Sequence, residues 1–265
     1  MTNSIEKWLA RFSTCLERSD IDGVAKLFDE ECYWRDIVAF TWTIKTFEGR
    51  GEIQAMLSAT LGAAAPGNFS ALAEPAGNDD DVVEGWFAFE TALGRGTGHL
   101  RLRDGRCWTI LTTLQELKGF EEPAGPRRAR GLEHGVVPGR QSWLERRRTE
   151  AAELGFARQP YVLIVGGGQG GLALAARLKR LEVPTLIVEQ NERAGDSWRR
   201  RYRSLCLHDP VWYDHMPYLP FPDHWPVFSP KDKMGDWLEM YARVMELNCW
   251  TSTQCLKAAY DEAAA

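Results

Sequence analysis

The stretch Tyr161-Val-Leu-Ile-Val-Gly-Gly-Gly-Gln-Gly-Gly-Leu-Ala-Leu-Ala-Ala-Arg-Leu-Lys-Arg-Leu181, followed by Thr185-Leu-Ile-Val-Glu189, decides the fold of the second half of this chain. Val162 to Val165 reads as a short apolar strand that runs into glycines at 166, 168 and 171. An amphipathic helix follows, and a second strand closes on an acid. Each part has a job in holding a dinucleotide. Gly166 permits the tight turn out of the strand. Gly168 lets the backbone approach a pyrophosphate with no Cβ in the way, and Gly171 lets the helix pack close to the strand. The pyrophosphate then lies against N–H groups at the positive end of the helix. Glu189 falls where a carboxylate accepts from a ribose 2′-hydroxyl and repels a 2′-phosphate. The expected ligand is therefore FAD or NAD rather than NADP.

Composition narrows the setting. The chain has 265 residues and a net charge of −5, enough length for one large core or two modest ones. That mildly acidic balance gives no reason to expect nucleic acid or an anionic membrane as a partner. Cysteines 15, 32, 107, 206, 249 and 255 are scattered, with no paired or metal-binding spacing, which reads as reduced thiols in a cytoplasmic protein and as no metal site. The amino terminus, Met1-Thr-Asn-Ser-Ile-Glu-Lys7, has no apolar run of the signal-peptide kind, and no stretch is long and apolar enough to span a bilayer.

Upstream of the glycine turn the pattern changes. Ile5, Trp8, Leu9, Phe12 and Leu16 recur at helical spacing, and Asp20 can cap a second short helix carrying Val24, Leu27 and Phe28. Cys32–Ile37 and Phe40–Ile44 look like strands, and a helix from Arg50 to about Leu61 places Ile53, Met56 and Leu57 on one face. After a loop over 62–68 come strand-like runs at Val82–Phe89, Thr97–Leu102 and Cys107–Leu114, the last two joined by the hairpin signal Asp104-Gly105. Gly94-Arg-Gly-Thr-Gly98 is not a second nucleotide turn, because a strand follows it. Helices first, then an antiparallel sheet, describe an α+β domain over 1–120. It resembles the NTF2-like (SnoaL-like) family, a cone of sheet wrapped around a long helix. The resemblance implies a binding module, a homodimerisation module or a small enzyme. Trp34, Arg35, Asp36, Trp42 and His99 are the candidates to line a cavity. Arg35 and Asp36 are adjacent on a strand and point to opposite faces, so they do not make a catalytic dyad.

Residues 121–158 read as a basic linker, rich in Pro, Gly and Arg, and then a charged helix over 141–154 that Pro160 stops. Residues 159–265 form a Rossmann-type α/β domain. After Glu189 come Gly195-Asp-Ser-Trp198 with Tyr202, then Leu205-Cys-Leu-His208, and Leu219-Pro-Phe-Pro222 before a helix. In this order these segments resemble the flavin-containing monooxygenases, closest to the plant auxin-forming branch. The resemblance implies that Gly166, Gly168, Gln169, Gly170 and Gly171 hold the FAD pyrophosphate and that Glu189 holds the adenosine ribose. Ser197 and Trp198 would pass the ribityl portion, and Leu207 and His208 would lie beside the isoalloxazine. His215 and His224 match no motif and read as structural. The implied reaction is NADPH- and O2-dependent oxygenation of a small organic molecule, with no catalytic side chain assigned. The second glycine-rich turn that the family uses for NADPH is absent. The sequence ends at 258–265 in what looks like a strand, so the expectation is an incomplete FAD domain with an unpaired sheet edge, weakly active or inactive alone. NADPH is expected only of a full-length relative. A non-enzymatic NTF2-like module with a vestigial nucleotide half is the alternative. A simple NAD dehydrogenase does not need the long excursion from Ser197 to Pro222.

Overall fold

Ile5, Trp8, Leu9, Phe12 and Leu16 form one stripe along α1 (Ser4–Glu17), and all five are buried. In this computed structural model, which describes residues 4–72, 78–79, 82–131 and 134–262, the chain divides into two units, Met1–Glu121 and Glu122–Ala265. Residues 1–3 of the amino-terminal reading, 132–133 of the linker and 263–265 of the expected last strand lie outside the described residues.

In the first unit α1 leads to α2 (Ile21–Lys26), where the Asp20 carboxylate accepts from the Gly23 N–H at 2.8 Å. Next come β1 (Phe28–Ile37), β2 (Ile44–Glu48), α3 (Gly49–Ala64), β3 (Gly67–Ala71), β4 (Asn78–Asp79), β5 (Val82–Glu90), β6 (Gly94–Arg103) and β7 (Arg106–Leu117). The sheet order is β2-β1-β7-β6-β5-β3, with β4 also on β5. The β1–β7 pair is parallel and the rest are antiparallel. Asp104 and Gly105 both have positive φ, 46° and 74°, which gives the two-residue turn their sequence predicts. The core is aromatic. Trp8, Phe12, Phe28, Trp34, Phe40, Phe69, Phe87 and Phe89 touch ring to ring, with centroids 4.7 Å apart for Trp8–Phe12 and 5.1 Å for Trp34–Phe40.

Two expectations need correcting here. Phe40–Thr43 is not a strand but a tight loop, and the next strand begins at Ile44. The cause is Asp36, which is fully buried. Its carboxylate accepts from the Phe40 N–H at 3.1 Å, the Thr41 N–H at 3.0 Å, the Thr41 hydroxyl at 2.8 Å and the Thr112 hydroxyl at 2.7 Å. Thr112 Oγ1 in turn accepts from Trp34 Nε1 at 2.8 Å. These bonds bend the backbone back on β1 and satisfy a charge that would otherwise be costly to bury. The five cavity candidates are also not brought together. Trp34 and Asp36 are core, Arg35 and His99 face the opposite side of the sheet, and Trp42 is exposed on the loop. Asp36→Ala leaves two N–H groups and two hydroxyls without their acceptor. The expected loss is about 3 kcal/mol, read as faster hydrogen exchange at Phe40 and Thr41. Unchanged exchange at those amides would refute this account of the loop.

The second unit begins with a 3₁₀ turn at Gly125–Arg127 and then α4 (Trp143–Glu153). A Ser142–Glu145 capping box starts α4. The helix ends ahead of Pro160, where Gly155 turns at φ +87° beneath Trp250. Then follow β8 (Val162–Val165), α5 (Gln169–Arg180), β9 (Thr185–Val188), α6 (Asp196–Arg199), α7 (Lys231–Val244) and β10 (Cys249–Trp250). The three strands are parallel, in the order β10-β9-β8. The strand expected over 258–265 is not formed at the described residues 258–262. That run is mostly alanine and acid, poor in the branched and aromatic residues that suit a sheet. The buried residues Ile164, Ile187, Leu172 and Ala176 join the sheet to α5, and Leu238 and Tyr241 bring in α7. β8 is one edge of this sheet and β10 the other, and on β8 Leu163 is 53% and Val165 66% exposed.

Candidate functional site

The glycine turn connects β8 to α5, and its geometry follows from one positive-φ position and two close approaches. Gly166 has φ +106°, a conformation that a side chain would strain. A Cβ on Gly171 would sit 2.0 Å from the Gly166 carbonyl oxygen, so the helix rests directly on the turn. A Cβ on Gly167 would lie 3.1 Å from Glu189 Cβ, which keeps the turn close to the end of β9. At Gly168 the space is open, with only Ser197 Oγ at 3.7 Å. Gly168 is the N-cap of α5 and supplies no side-chain cap. The positive helix end is thus left facing that open space, the place a pyrophosphate requires.

Glu189 ends β9 and is nearly buried. Its Oε2 accepts from the Gly167 N–H at 2.6 Å, and its Oε1 accepts from the Asn191 N–H at 2.8 Å and from Asn191 Nδ2 at 2.5 Å. Burial, reinforced by the negative charge of Glu189, pushes the Cys249 thiol up to about 11. Cys249 therefore brings no charge of its own to the ribose position at neutral pH.

The segment after Glu189 is anchored by charge. Arg199 donates to Asp196 at 2.9 Å, to Asp236 at 2.8 Å and to Glu239 at 2.9 Å, which ties α6 to α7. Burial pushes the Asp196 carboxyl up, but its hydrogen bond from Arg199 and the charges of Arg193 and Arg199 outweigh this and hold it below the usual range. Gly195 and Gly235 make the approach possible, since a Cβ on Gly195 would fall 2.3 Å from the Gly235 carbonyl oxygen. Trp198 Nε1 donates to Gln169 Oε1 at 2.9 Å, joining α6 to the start of α5.

These contacts place a cleft of 590 Å³ beside the turn. Gln169, Ser197, Trp198, Leu207 and His208, five of the ten residues expected to hold cofactor, line it together. The other five, Gly166, Gly168, Gly170, Gly171 and Glu189, are not part of its lining; of these Gly168 approaches it, since a Cβ there would lie 3.7 Å from Ser197 Oγ. Leu207 and Met234, which line it, pack behind against Phe221, Trp225 and Trp237, and the Phe221–Trp225 centroids are 4.7 Å apart. Sequence reasoning missed the far wall, which is made by Arg201, Tyr213, Asp214 and His215. His215 Nδ1 accepts from the Phe221 N–H at 3.1 Å. Burial first, and the charge of Asp209 second, raise the Asp214 carboxyl. No motif marked these residues, and their order along an irregular excursion carries no periodic signal. The residues present fit a dinucleotide: an open position at Gly168, an uncapped helix end, a ribose carboxylate and a cleft of cofactor size.

Comparison with known proteins agrees with this geometry. The NAD(P)-binding Rossmann-like domain family matches residues 164–225. The chain is 35% identical over 105 residues to indole-3-pyruvate monooxygenase YUCCA1 of Oryza sativa subsp. japonica, covering 39% of this chain and 26% of that protein. It is 36% identical over 95 residues to the uncharacterized CzcO-like oxidoreductase of Geobacillus kaustophilus, covering 36% and 27%. Among solved structures, a flavin-containing monooxygenase from Stenotrophomonas maltophilia aligns at 25% identity with a TM-score of 0.32, covering 34% of this chain and 27% of that one. The chain thus spans about a quarter of the length of the curated relatives it matches. The match to an NAD(P)-binding Rossmann-like domain accords with the dinucleotide turn expected from the sequence. Among the described residues, no helix is long and apolar enough to cross a membrane.

Proposed function

We propose that the second unit grips FAD and is the flavin-binding portion of an NADPH- and O2-dependent monooxygenase acting on a small organic molecule. The observation that carries this reading is the continuity of the open Gly168 position, Glu189 and the cleft lined by Ser197, Trp198, Leu207 and His208. Bound FAD would supply the redox and oxygen chemistry. The chain's own residues bind and orient it: the glycine turn and the end of α5 at the pyrophosphate, Glu189 at the ribose, Leu207 and His208 along the ring. The apolar side chains Leu207 and Met234 exclude water. In this reading residues 159–265 are the FAD-binding part, 121–158 a linker with its helix, and 1–120 an NTF2-like module. Titration of the purified chain with FAD is expected to quench flavin emission, and Glu189→Arg to abolish the quenching. NADPH is not expected to be consumed, because this sequence carries one nucleotide turn only. Emission that stays constant through the titration would refute the reading.

A second reading, a non-enzymatic dimerisation module, is favoured by one observation on the first unit. Its interior is filled by aromatic rings, while the outer sheet face presents Tyr33, Trp86, His99 and Leu111 around an open, largely apolar basin of 450 Å³. A second copy of the chain is the partner this face suits. Trp86→Glu is expected to convert a dimer to monomer in light scattering. A wild-type monomer at all concentrations would dispose of this reading.

A further inference from the structure

Hydrogen bonds around Glu189 run in one direction. Glu189 is 5% exposed and Asn191 6%. A carboxylate only accepts, and its two oxygens offer about four lone-pair positions. Gly167 N–H fills one on Oε2, and the two Asn191 donors fill both on Oε1, so a single position on Oε2 is left. Asn191 Oδ1 in turn accepts from Arg200 Nη1. A guanidinium only donates. The Asn191 amide is therefore held between one neighbour that can only accept and another that can only donate. Flipping it would set NH2 against guanidinium and carbonyl against carboxylate, so its orientation is fixed by chemistry. The amide also stands between the two charges. Arg200 orients the chain of bonds without pairing directly with Glu189.

We infer that Asn191 and Arg200 are positioning residues that aim the remaining acceptor position of Glu189 and keep its charge unpaired. They thereby set the preference of the ribose site for a free 2′-hydroxyl over a 2′-phosphate. This rests on the reading of the second unit as a dinucleotide site. A direct Arg–carboxylate pair would cancel the charge that repels a 2′-phosphate, whereas the neutral amide preserves it.

The test is calorimetric titration of the full chain with ADP-ribose and with 2′-phospho-ADP-ribose, with thermal midpoints recorded for every variant. Wild type is expected to prefer ADP-ribose. Asn191→Leu removes the amide at similar volume and is expected to weaken ADP-ribose binding about tenfold, the scale of one hydrogen bond to a charged group, and to narrow the preference. Arg200 is exposed, so its replacement spares the core. Arg200→Ala is expected to narrow the preference, while Arg200→Gln, whose NH2 still donates to Asn191 Oδ1, is expected to restore it. A folded Asn191→Leu or Arg200→Ala with the wild-type ratio overturns the inference and leaves the dinucleotide reading standing. A wild type that binds neither ligand overturns both.

Discussion

Gly171→Ala is expected to abolish measurable FAD binding and to destabilise the second unit by about 3 kcal/mol, the upper range for overpacking a tight site. The new Cβ would lie 2.0 Å from Gly166 O and 3.2 Å from Ile164 Cγ2. Neither neighbour is the free end of a flexible side chain. To restore ordinary contact α5 must withdraw by about 1 Å or more from the turn. That motion carries the N–H groups at its start away from the open space at Gly168. The same withdrawal pulls Leu172 and Ala176 out of the core shared with β8 and β9. Gly170 is the informative contrast, because a Cβ there meets nothing within 4 Å. Gly170→Ala is expected to keep the fold and to stabilise the helix by up to about 1 kcal/mol. Calorimetric titration with FAD and hydrogen exchange along α5 check both. Wild-type affinity in Gly171→Ala would mean that the helix does not rest on the turn as described.

The turn was legible in the sequence because its requirements are local. A residue that must have positive φ, a residue that must lack a Cβ and an acid that must end the next strand are each written in one position. Gly166 turns at positive φ, Gly171 lets the helix rest on the turn, and Glu189 follows the last residue of β9. Gly167 was not legible, since its role depends on Glu189 lying 22 positions later and folding back on it. Asn191 and Arg200 escaped for the same reason: a polar residue in a loop has no period, and only the fold brings its partners to it. The far wall of the cleft follows the same rule. Val211 bonds to Val227, and Leu207 to Ser229, so the chain leaves and returns by pairings that no pattern of alternation announces.

In the first unit the helices and the three long strands were legible from periodicity, and the Asp104-Gly105 turn from residue type. The departures from that reading trace to tertiary contacts. Asp36 reads in sequence as a polar position on a strand, yet it is the most deeply bonded carboxylate of the described core and converts Phe40–Thr43 from strand to loop. Likewise β3 (Gly67–Ala71) has almost no intrinsic strand signal and forms because β5 offers it a partner.

Gly94-Arg-Gly-Thr-Gly98, set aside as a nucleotide turn because a strand follows it, is where the first unit is expected to be most sensitive. All three glycines point inward on β6; rings of β5 occupy the volume that side chains would take at Gly96 and Gly98, and Leu114 of β7 occupies it at Gly94. A Cβ on Gly98 would lie 2.2 Å from Phe87 Cζ and 2.4 Å from the Leu111 carbonyl oxygen. On Gly96 it would lie 2.4 Å from Phe89 Cζ and 2.7 Å from the Thr113 carbonyl oxygen. Phe87 faces Gly98 and Phe89 faces Gly96 across the β5–β6 pair, an aromatic ring laid over a cross-strand glycine. Gly98→Ala is therefore expected to cost about 3 kcal/mol or more, since Phe87 is fully buried and packed against the rings of Phe69 and Phe89. Gly62 in α3 meets nothing within 4 Å, so Gly62→Ala is expected to be neutral or stabilising by up to about 1 kcal/mol. The double variant Gly98→Ala with Phe87→Leu is expected to recover part of the loss, with a coupling that reports the ring contact. Recovery stays partial because the Leu111 carbonyl belongs to the β7 backbone and cannot retreat. Urea unfolding followed by the emission of the buried tryptophans reads the wild type, Gly62→Ala, Gly98→Ala, Phe87→Leu and the double variant, and an unchanged midpoint for Gly98→Ala would show that the sheet yields where these distances say it cannot.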